Sequence, residues 1–597
     1  MNDTARDTAR AQTAVAWGSD AVADLLRALE IPYVALTPGA SFRGLHDSLV
    51  NHLGNTRPEL LLCVHEESAV ALAHGYARVT GRPLAVALHA NVGLMHATMA
   101  IFNVWCDRIP MLLIGAVGPV DAVKRRPWVD WIHTSRDLGA LVRGYTKWDD
   151  QPGSVAAALE AILRGYRIAM TAPQGPVYVC LDAALQEEPL APTVSLPALE
   201  RFQAPNGGVV APQVASEVAR LLDGASRPLM MIGRVSRDPA DFKRRIALAE
   251  RVGAIALTDI KTGASFPTRH PLHPFAPSLY VSGEATRAIR DADVILSLDW
   301  IDLGGTLRQA CDGAVPQARI LHCSLDQYIH NGWNADYQAL PPTDVSILAS
   351  PDALVGSLLA TLGARTGKKV KPWIELQPAK VGSATTHAAG DRLPLEDMAR
   401  VVTEALAPHR PSYVRLPLGW SGEFCRFAHP LDYVGFDGGG GVGSGPGMAV
   451  GAALALRGGD RLPVAVLGDG DYLMGLTALW TGVRYRVPLL IVVANNESFF
   501  NDELHQERVA RMRGRPVENR WIGMRMSDPS IDLAALARGQ GARGYGPVRA
   551  ADELEAAIER GIADVRAGAL CVIDVRVAPE YSRAVSSSLL RNVGAKA

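Results

Sequence analysis

Short apolar runs alternate with longer stretches of helical period along most of this chain. Between residues 17 and 190, ELLLCV, PLAVALHA and PMLLIGAV have strand length and branched composition. The intervening EESAVALAHGYARVTG and GLMHATMAIFNVW repeat apolar residues at three- and four-residue spacing, as helices do. Such alternation predicts parallel βαβ units. It returns at residues 209–365 (RPLMMIG, GAIALT, ADVILSLDW, ARILHCSL) and at 391–580 (YVGFD, LPVAVLG, PLLIVVA, ALCVIDVRV). The linker-like stretches EEPLAPTVSLPALERFQAPNGG and RTGKKVKPWIELQPAKVGSATTHAAGD separate the three blocks. The expected fold class is α/β with three domains, each an open, mainly parallel sheet flanked by helices. Residues 1–16 are expected to be a disordered tail and 581–597 a C-terminal tail.

Composition narrows the function. A chain of 597 residues exceeds what one hydrophobic core supports. A net charge of −1 gives no reason to expect nucleic acid or an anionic membrane as partner. No apolar run reaches the roughly 20 residues of a membrane span, and the N-terminus lacks the apolar stretch of a signal peptide. The seven cysteines are scattered, with no CxxC pair, which argues against a disulfide framework or a zinc site and for a cytoplasmic protein.

The third block carries the chemistry. In PVAVLGDGDYLMGLTALWTGVRYRVPLLIVVANN, Asp469 and Asn496 follow two predicted parallel strands, at the edge where open α/β sheets bind ligands. A carboxylate, an amide oxygen and a nearby carbonyl form a hard oxygen set suited to Mg²⁺ held with a phosphate. The amides of Gly470 and Asp471 would open the crossover helix at its anion-favouring end. Taken singly, Gly-Asp-Gly is a turn and Asn-Asn a helix cap; the pair, 27 positions apart and flanked by strands, is the informative signal. Upstream, Gly438-x-Gly440-x-x-Gly443 has the form of a dinucleotide fingerprint, with Asp460 at the distance an NAD site requires. A nicotinamide oxidoreductase is therefore one alternative, and a non-catalytic scaffold another.

The GDG-to-NN stretch resembles the signature of thiamine-diphosphate enzymes. The resemblance continues in the first block, where CVHEESAVALAHGYARVTG through DRIPMLLIGA is similar to acetolactate synthase-like enzymes. It implies that Asp469 and Asn496 bind Mg²⁺ through their side chains and Ser498 through its carbonyl. It also implies cofactor contacts from Gly440, Gly470 and Asp471, with Val442 as the apolar wedge beneath the cofactor. Glu66 is implied to hold the aminopyrimidine ring and activate the cofactor, with Glu67 facing solvent and His65 structural. Active sites at the subunit interface of a homodimer or homotetramer follow from the same likeness.

The substrate implied is a small-molecule carbonyl compound, a 2-oxo acid undergoing decarboxylation or carboligation. Ser41 in LTPGASFRGLHDSL, His89 and His96 in HANVGLMHA, and Asn501 and Asp502 in SFFNDELHQERVARMRG are the candidates for handling substrate protons. The two histidines have a plain alternative as packed or surface residues. The altered first-domain loop and the lack of a tryptophan near His505 depart from acetolactate synthases. The SFFNDELHQERVA segment is similar to cyclohexane-1,2-dione hydrolase, so cleavage of a 1,2-diketone or acyloin is a further alternative. The middle block shows no flavin fingerprint, which leaves FAD open without indicating it.

Overall fold

The computed structural model describes residues 15–205, 207–326, 340–363, 372–374 and 391–581. Most of the two expected tails and nearly all of the second linker-like stretch lie outside the described residues. Among the described residues three sheets are formed, one in each block, and every strand pair is parallel.

The first sheet contains β1 (Tyr33–Leu36), β2 (Glu59–Leu62), β3 (Ala85–His89), β4 (Met111–Val117), β5 (Trp148–Asp150) and β6 (Pro176–Asp182), in the order β2-β1-β3-β4-β6-β5. The second contains β7 (Pro228–Ile232), β8 (Ile255–Thr258), β9 (Val294–Leu298), β10 (Arg319–Cys323) and β11 (Val345–Ile347), ordered β11-β10-β9-β7-β8. The third contains β12 (Pro411–Arg415), β13 (Leu462–Gly468), β14 (Leu489–Asn495), β15 (Arg543–Val548) and β16 (Leu570–Arg576), ordered β12-β13-β14-β16-β15.

Period-two packing explains the apolar runs. On β7, Leu229 and Met231 enter one buried cluster while Met230 and Ile232 enter the cluster on the opposite face. A strand covered on both sides must be apolar throughout. Local chemistry sets helix ends. In the helix Pro239–Val252, the Asp238 carboxylate accepts the Ala240 and Asp241 amides, Pro239 opens the first turn, and left-handed Gly253 (φ +73°) ends the last.

By contacts the chain forms two compact units, 1–73 with 81–205, and 74–80 with 206–597. The second unit contains two sheets because the 260–268 segment joins the core of the third sheet. Tyr433 Oη donates to Ile260 O at 2.7 Å, Thr268 Oγ1 donates to Cys425 O at 2.7 Å, and Ile260 and Ala264 are buried in that core. YVGFD, expected as a strand, is not one. Gly435 takes φ +103°, which breaks the extended run, and Tyr433 makes a single bridge to Tyr413. The third sheet's edges, β12 and β15, carry Pro411 and Gly546-Pro547, residues that read as turns in isolation.

His273 in the second unit is fully buried, with Nε2 2.8 Å from Thr258 Oγ1, and burial pushes its pKa down to about 4. Below pH 6.5 the unfolded chain takes up a proton that the folded chain refuses, so stability falls between pH 6.5 and about 4. The limit is about 3 kcal/mol from this one group. Urea midpoints measured at pH 7.5 and 4.5 are expected to differ less in His273→Gln than in the parent. Equal differences would show that other groups set the acid response.

Candidate active site

Strands β13 and β14 run in register with Gly468 beside Ala494, so both leave the third sheet at the same level. The chain then places Asp469, buried, against the turn Asn496–Ser498. Asp469 Oδ1 accepts the Gly470 amide at 2.8 Å, and Oδ2 accepts the Ser498 amide at 3.2 Å. Asn496 Oδ1 shares that Ser498 amide at 2.9 Å. The turn is possible because Glu497 adopts φ +56°, an uncommon conformation for a side chain of this size. Ion pairs from its carboxylate to Arg392 and Arg576, and a hydrogen bond from Ser530 Oγ, hold it there. Behind the turn, Ser498 Oγ donates to Glu503 Oε1 at 2.5 Å, and buried Glu503 pairs with Arg525 at 2.9 Å.

Burial pushes the Asp469 carboxyl up to about 6. Two oxygens of adjacent side chains, one anionic and one an amide, thus converge where desolvation already opposes the charge. A divalent cation there would favour the charged carboxylate, so the donor set fits such an ion.

The expected crossover helix is two short ones, Asp469–Met474 and Ala478–Arg484. The first of them opens at Asp469, so Gly470 and Asp471 lie in its first turn as expected, and the Gly470 amide donates to the neighbouring Asp469 Oδ1. The Asp471 carboxylate is also committed. Its Oδ1 accepts the amides of Gly443 (2.7 Å) and Gly445 (3.1 Å), and its Oδ2 lies 2.8 Å from Arg415 Nε.

These groups line a cavity of about 410 Å³. Its polar lining includes Asp469, Asn496, Ser498, Gly470 and Asp471, with the glycine turn at Gly440 and the half-exposed Val442. Its apolar lining includes Leu395, Leu418, Phe499 and Phe500, with Asn501 and Asp502 also on the wall. Tyr581, expected in a tail, lines the same cavity with its ring edge-on to Phe500 at 5.3 Å. Asp460 lies elsewhere, in an exposed ion pair with Arg410.

In the first unit, Glu66 opens the helix Glu66–Thr80 and is buried. Its Oε2 lies 3.1 Å from His96 Nδ1, and the His96 ring stacks on His65 at 5.2 Å. Gly93 permits this closeness, since a Cβ there would sit 3.1 Å from Glu66 Oε1. Glu67, expected in solvent, is half-buried, because the first helical turn packs inward on that side as well.

Ser41 and His89 form a separate pair with Oγ 2.8 Å from Nδ1. The Ser41 backbone amide also donates to Nδ1, at 3.4 Å, so this nitrogen accepts and the neutral ring carries its proton on Nε2. The His133 ring lies edge-on to His89 at 4.9 Å. Burial, then the neighbouring His133, hold the His89 pKa below the ordinary histidine range.

Comparison with known proteins decides what this arrangement belongs to. Residues 16–141 match the thiamine pyrophosphate enzyme N-terminal TPP binding domain, and residues 417–575 match the C-terminal TPP binding domain. The chain belongs to the thiamine pyrophosphate enzymes. This enzyme is 25% identical over 516 residues to benzoylformate decarboxylase of Pseudomonas aeruginosa, covering 84% of this chain and 89% of that one. It is 24% identical over 502 residues to the acetolactate synthase large subunit of Corynebacterium glutamicum, covering 80% and 75% respectively. Its fold is similar to that of the crystal structure of benzoylformate decarboxylase from Polynucleobacter necessarius, with a TM-score of 0.77 at 21% identity, over 95% of this chain and 99% of that one. The enzyme depends on thiamine diphosphate, and its likeness joins decarboxylases and acetolactate synthases. Among the described residues of this thiamine pyrophosphate enzyme, no helix is long and apolar enough to cross a membrane.

Sequence reasoning missed four residues around these sites. His133 and Arg415 are neighbours of predicted residues only in three dimensions. Glu503 sits within the quoted SFFNDELHQERVA segment, where its spacing of five from Ser498 was the available signal. Tyr581 follows the last strand and carries no motif.

Proposed function

We propose that the enzyme breaks or forms the C–C bond next to the carbonyl of a 2-oxo acid, by decarboxylation or carboligation, with Mg²⁺ as the partner of its cofactor. The convergence of Asp469, Asn496 and Ser498 on the wall of a cavity that is also lined by apolar side chains carries this reading. Asp469 and Asn496 would hold Mg²⁺ through side-chain oxygens and Ser498 through its carbonyl, an all-oxygen set. The diphosphate then belongs beside Gly440, Gly470 and Asp471, and Val442 beneath the ring system. Thiamine diphosphate supplies the electron sink for cleavage next to a carbonyl.

The chain's own residues do the rest. Glu66 would hold the aminopyrimidine and serve as the proton-carrying group at its carboxylate, which His96, at hydrogen-bonding distance, would orient. His89 offers its Nε2–H to the substrate carboxylate or carbonyl, with Ser41 fixing the ring. Asn501 and Asp502 handle protons on the substrate side, and Phe499 and Phe500 exclude water. The carboxyl edge of the central sheet holds an ion-pair network, Arg234 to Asp299 at 3.0 Å and to Asp326 at 2.7 Å, so no flavin enters the proposal.

We further place the enzyme in the cytoplasm as a homodimer or homotetramer with active sites at the subunit interface. The exposed Trp128 and Trp131 support an oligomer, since such surface is normally covered.

A panel of aliphatic and aromatic 2-oxo acids, acyloins and 1,2-diketones, with products identified by mass spectrometry, tests the reaction. At least one 2-oxo acid is expected to release CO₂ in a manner requiring both thiamine diphosphate and Mg²⁺. Turnover confined to diketones or acyloins, without CO₂, would replace this reading by hydrolytic cleavage.

A further inference from the structure

We propose that Arg415, Asp437 and Asp471 are a positioning set that holds the glycine turn 438–445 in its cofactor-receiving shape before the cofactor arrives. This rests on the reading of the cavity as the diphosphate site. A strand end, a loop and a helix start meet on one guanidinium. Arg415 ends β12, Asp437 immediately precedes the glycine run, and Asp471 follows β13. Arg415 Nη1 lies 2.6 Å from Asp437 Oδ1 and Nε lies 2.8 Å from Asp471 Oδ2. All three side chains are buried, and the guanidinium covers the Phe436 ring at 4.4 Å.

The turn has reason to be held. Gly438 to Gly441 are consecutive glycines and Gly443 and Gly445 follow, so ordering this stretch costs more conformational entropy than any other composition. The two amides that Asp471 accepts lie at the far end of the stretch, while Asp437 anchors its start. The approach is close, as a Cβ on Gly445 would sit 2.2 Å from Asp471 Oδ2. The ordering cost is thereby met during folding and not during binding. Arg415 also neutralises carboxylates that would otherwise face an incoming diphosphate. An acid beside a diphosphate is accommodated because its charge is turned onto Arg415.

Calorimetric titration of thiamine diphosphate in excess Mg²⁺, with steady-state rates, tests the set. Asp471→Ser is expected to weaken cofactor binding about 10- to 100-fold, in keeping with the loss of charge-assisted hydrogen bonds. Asp471→Asn keeps an acceptor for the two amides and should recover most of the affinity. Parent-like affinity in Asp471→Ser, or a fall in kcat at unchanged affinity, overturns the proposal. If Asp471→Ser does not fold, Arg415→Lys carries the test: it keeps the charge, loses the fork, and should show a loss of cofactor affinity of the same order. Parent-like affinity there also overturns it. A parent protein that binds no thiamine diphosphate, or Asp469→Ala binding normally, defeats the cavity reading instead.

Discussion

Asp469→Ala is expected to abolish Mg²⁺-dependent binding of thiamine diphosphate, raising its Kd by about a thousandfold or more, equivalent to roughly 4 kcal/mol. Asp469 is the one charged group among the three proposed oxygen donors on the cavity wall, so its loss would leave Asn496 and a main-chain carbonyl to hold a dication. The folded chain should tolerate the change. The carboxylate is buried, and taking it out of water opposes folding, so the cofactor-free variant should melt no lower than the parent. Calorimetry with and without Mg²⁺, beside a thermal melt, separates loss of binding from loss of structure. Binding that stays tight and Mg²⁺-dependent would remove Asp469 from the metal site.

Glu66→Gln is expected to slow exchange of the cofactor's C2 proton by about 10²- to 10⁴-fold, the range for losing a positioned acid–base group. Glutamine matches glutamate in shape and can still meet His96, so cofactor affinity should change only a few-fold. Exchange is read by quenched deuterium incorporation under saturating cofactor, independently of substrate choice. Parent-like exchange in the variant would leave Glu66 without its proposed role. On the proposed reading the two substitutions act at different steps: Asp469 would govern whether the cofactor stays, Glu66 whether the bound cofactor is activated.

The meeting of Asp469 and Asn496 was legible because parallel pairing leaves little freedom. Two apolar runs joined by a crossover become neighbouring strands, and the residues just after each run must emerge at the same sheet edge, as those after Gly468 and Ala494 do. Glu66 was legible through the resemblance of its surroundings, and Ser41 with His89 through theirs. The grouping was less so. His89 and His96 share one short segment, yet one joins Ser41 and the other Glu66, because His89 ends a strand and His96 lies almost two turns into the following helix. Arg415 was hidden by a strand that starts with proline, and YVGFD was misjudged because a single glycine conformation outweighs four residues of strand composition. His133 and Tyr581 have no periodicity or spacing that announces them; chain paths far from local pattern bring them to their sites.

The conformation of Glu497 has a consequence for engineering. A glycine at 497 would suit the left-handed backbone better, and a stability screen restricted to backbone comfort would select it. That choice would also cut the tethers to Arg392, Arg576 and Ser530, and two arginines gathered for a carboxylate would be left to repel one another. The awkward turn is therefore a fixed point of the loop, and thermostabilised versions of this protein should be sought by changing residues elsewhere.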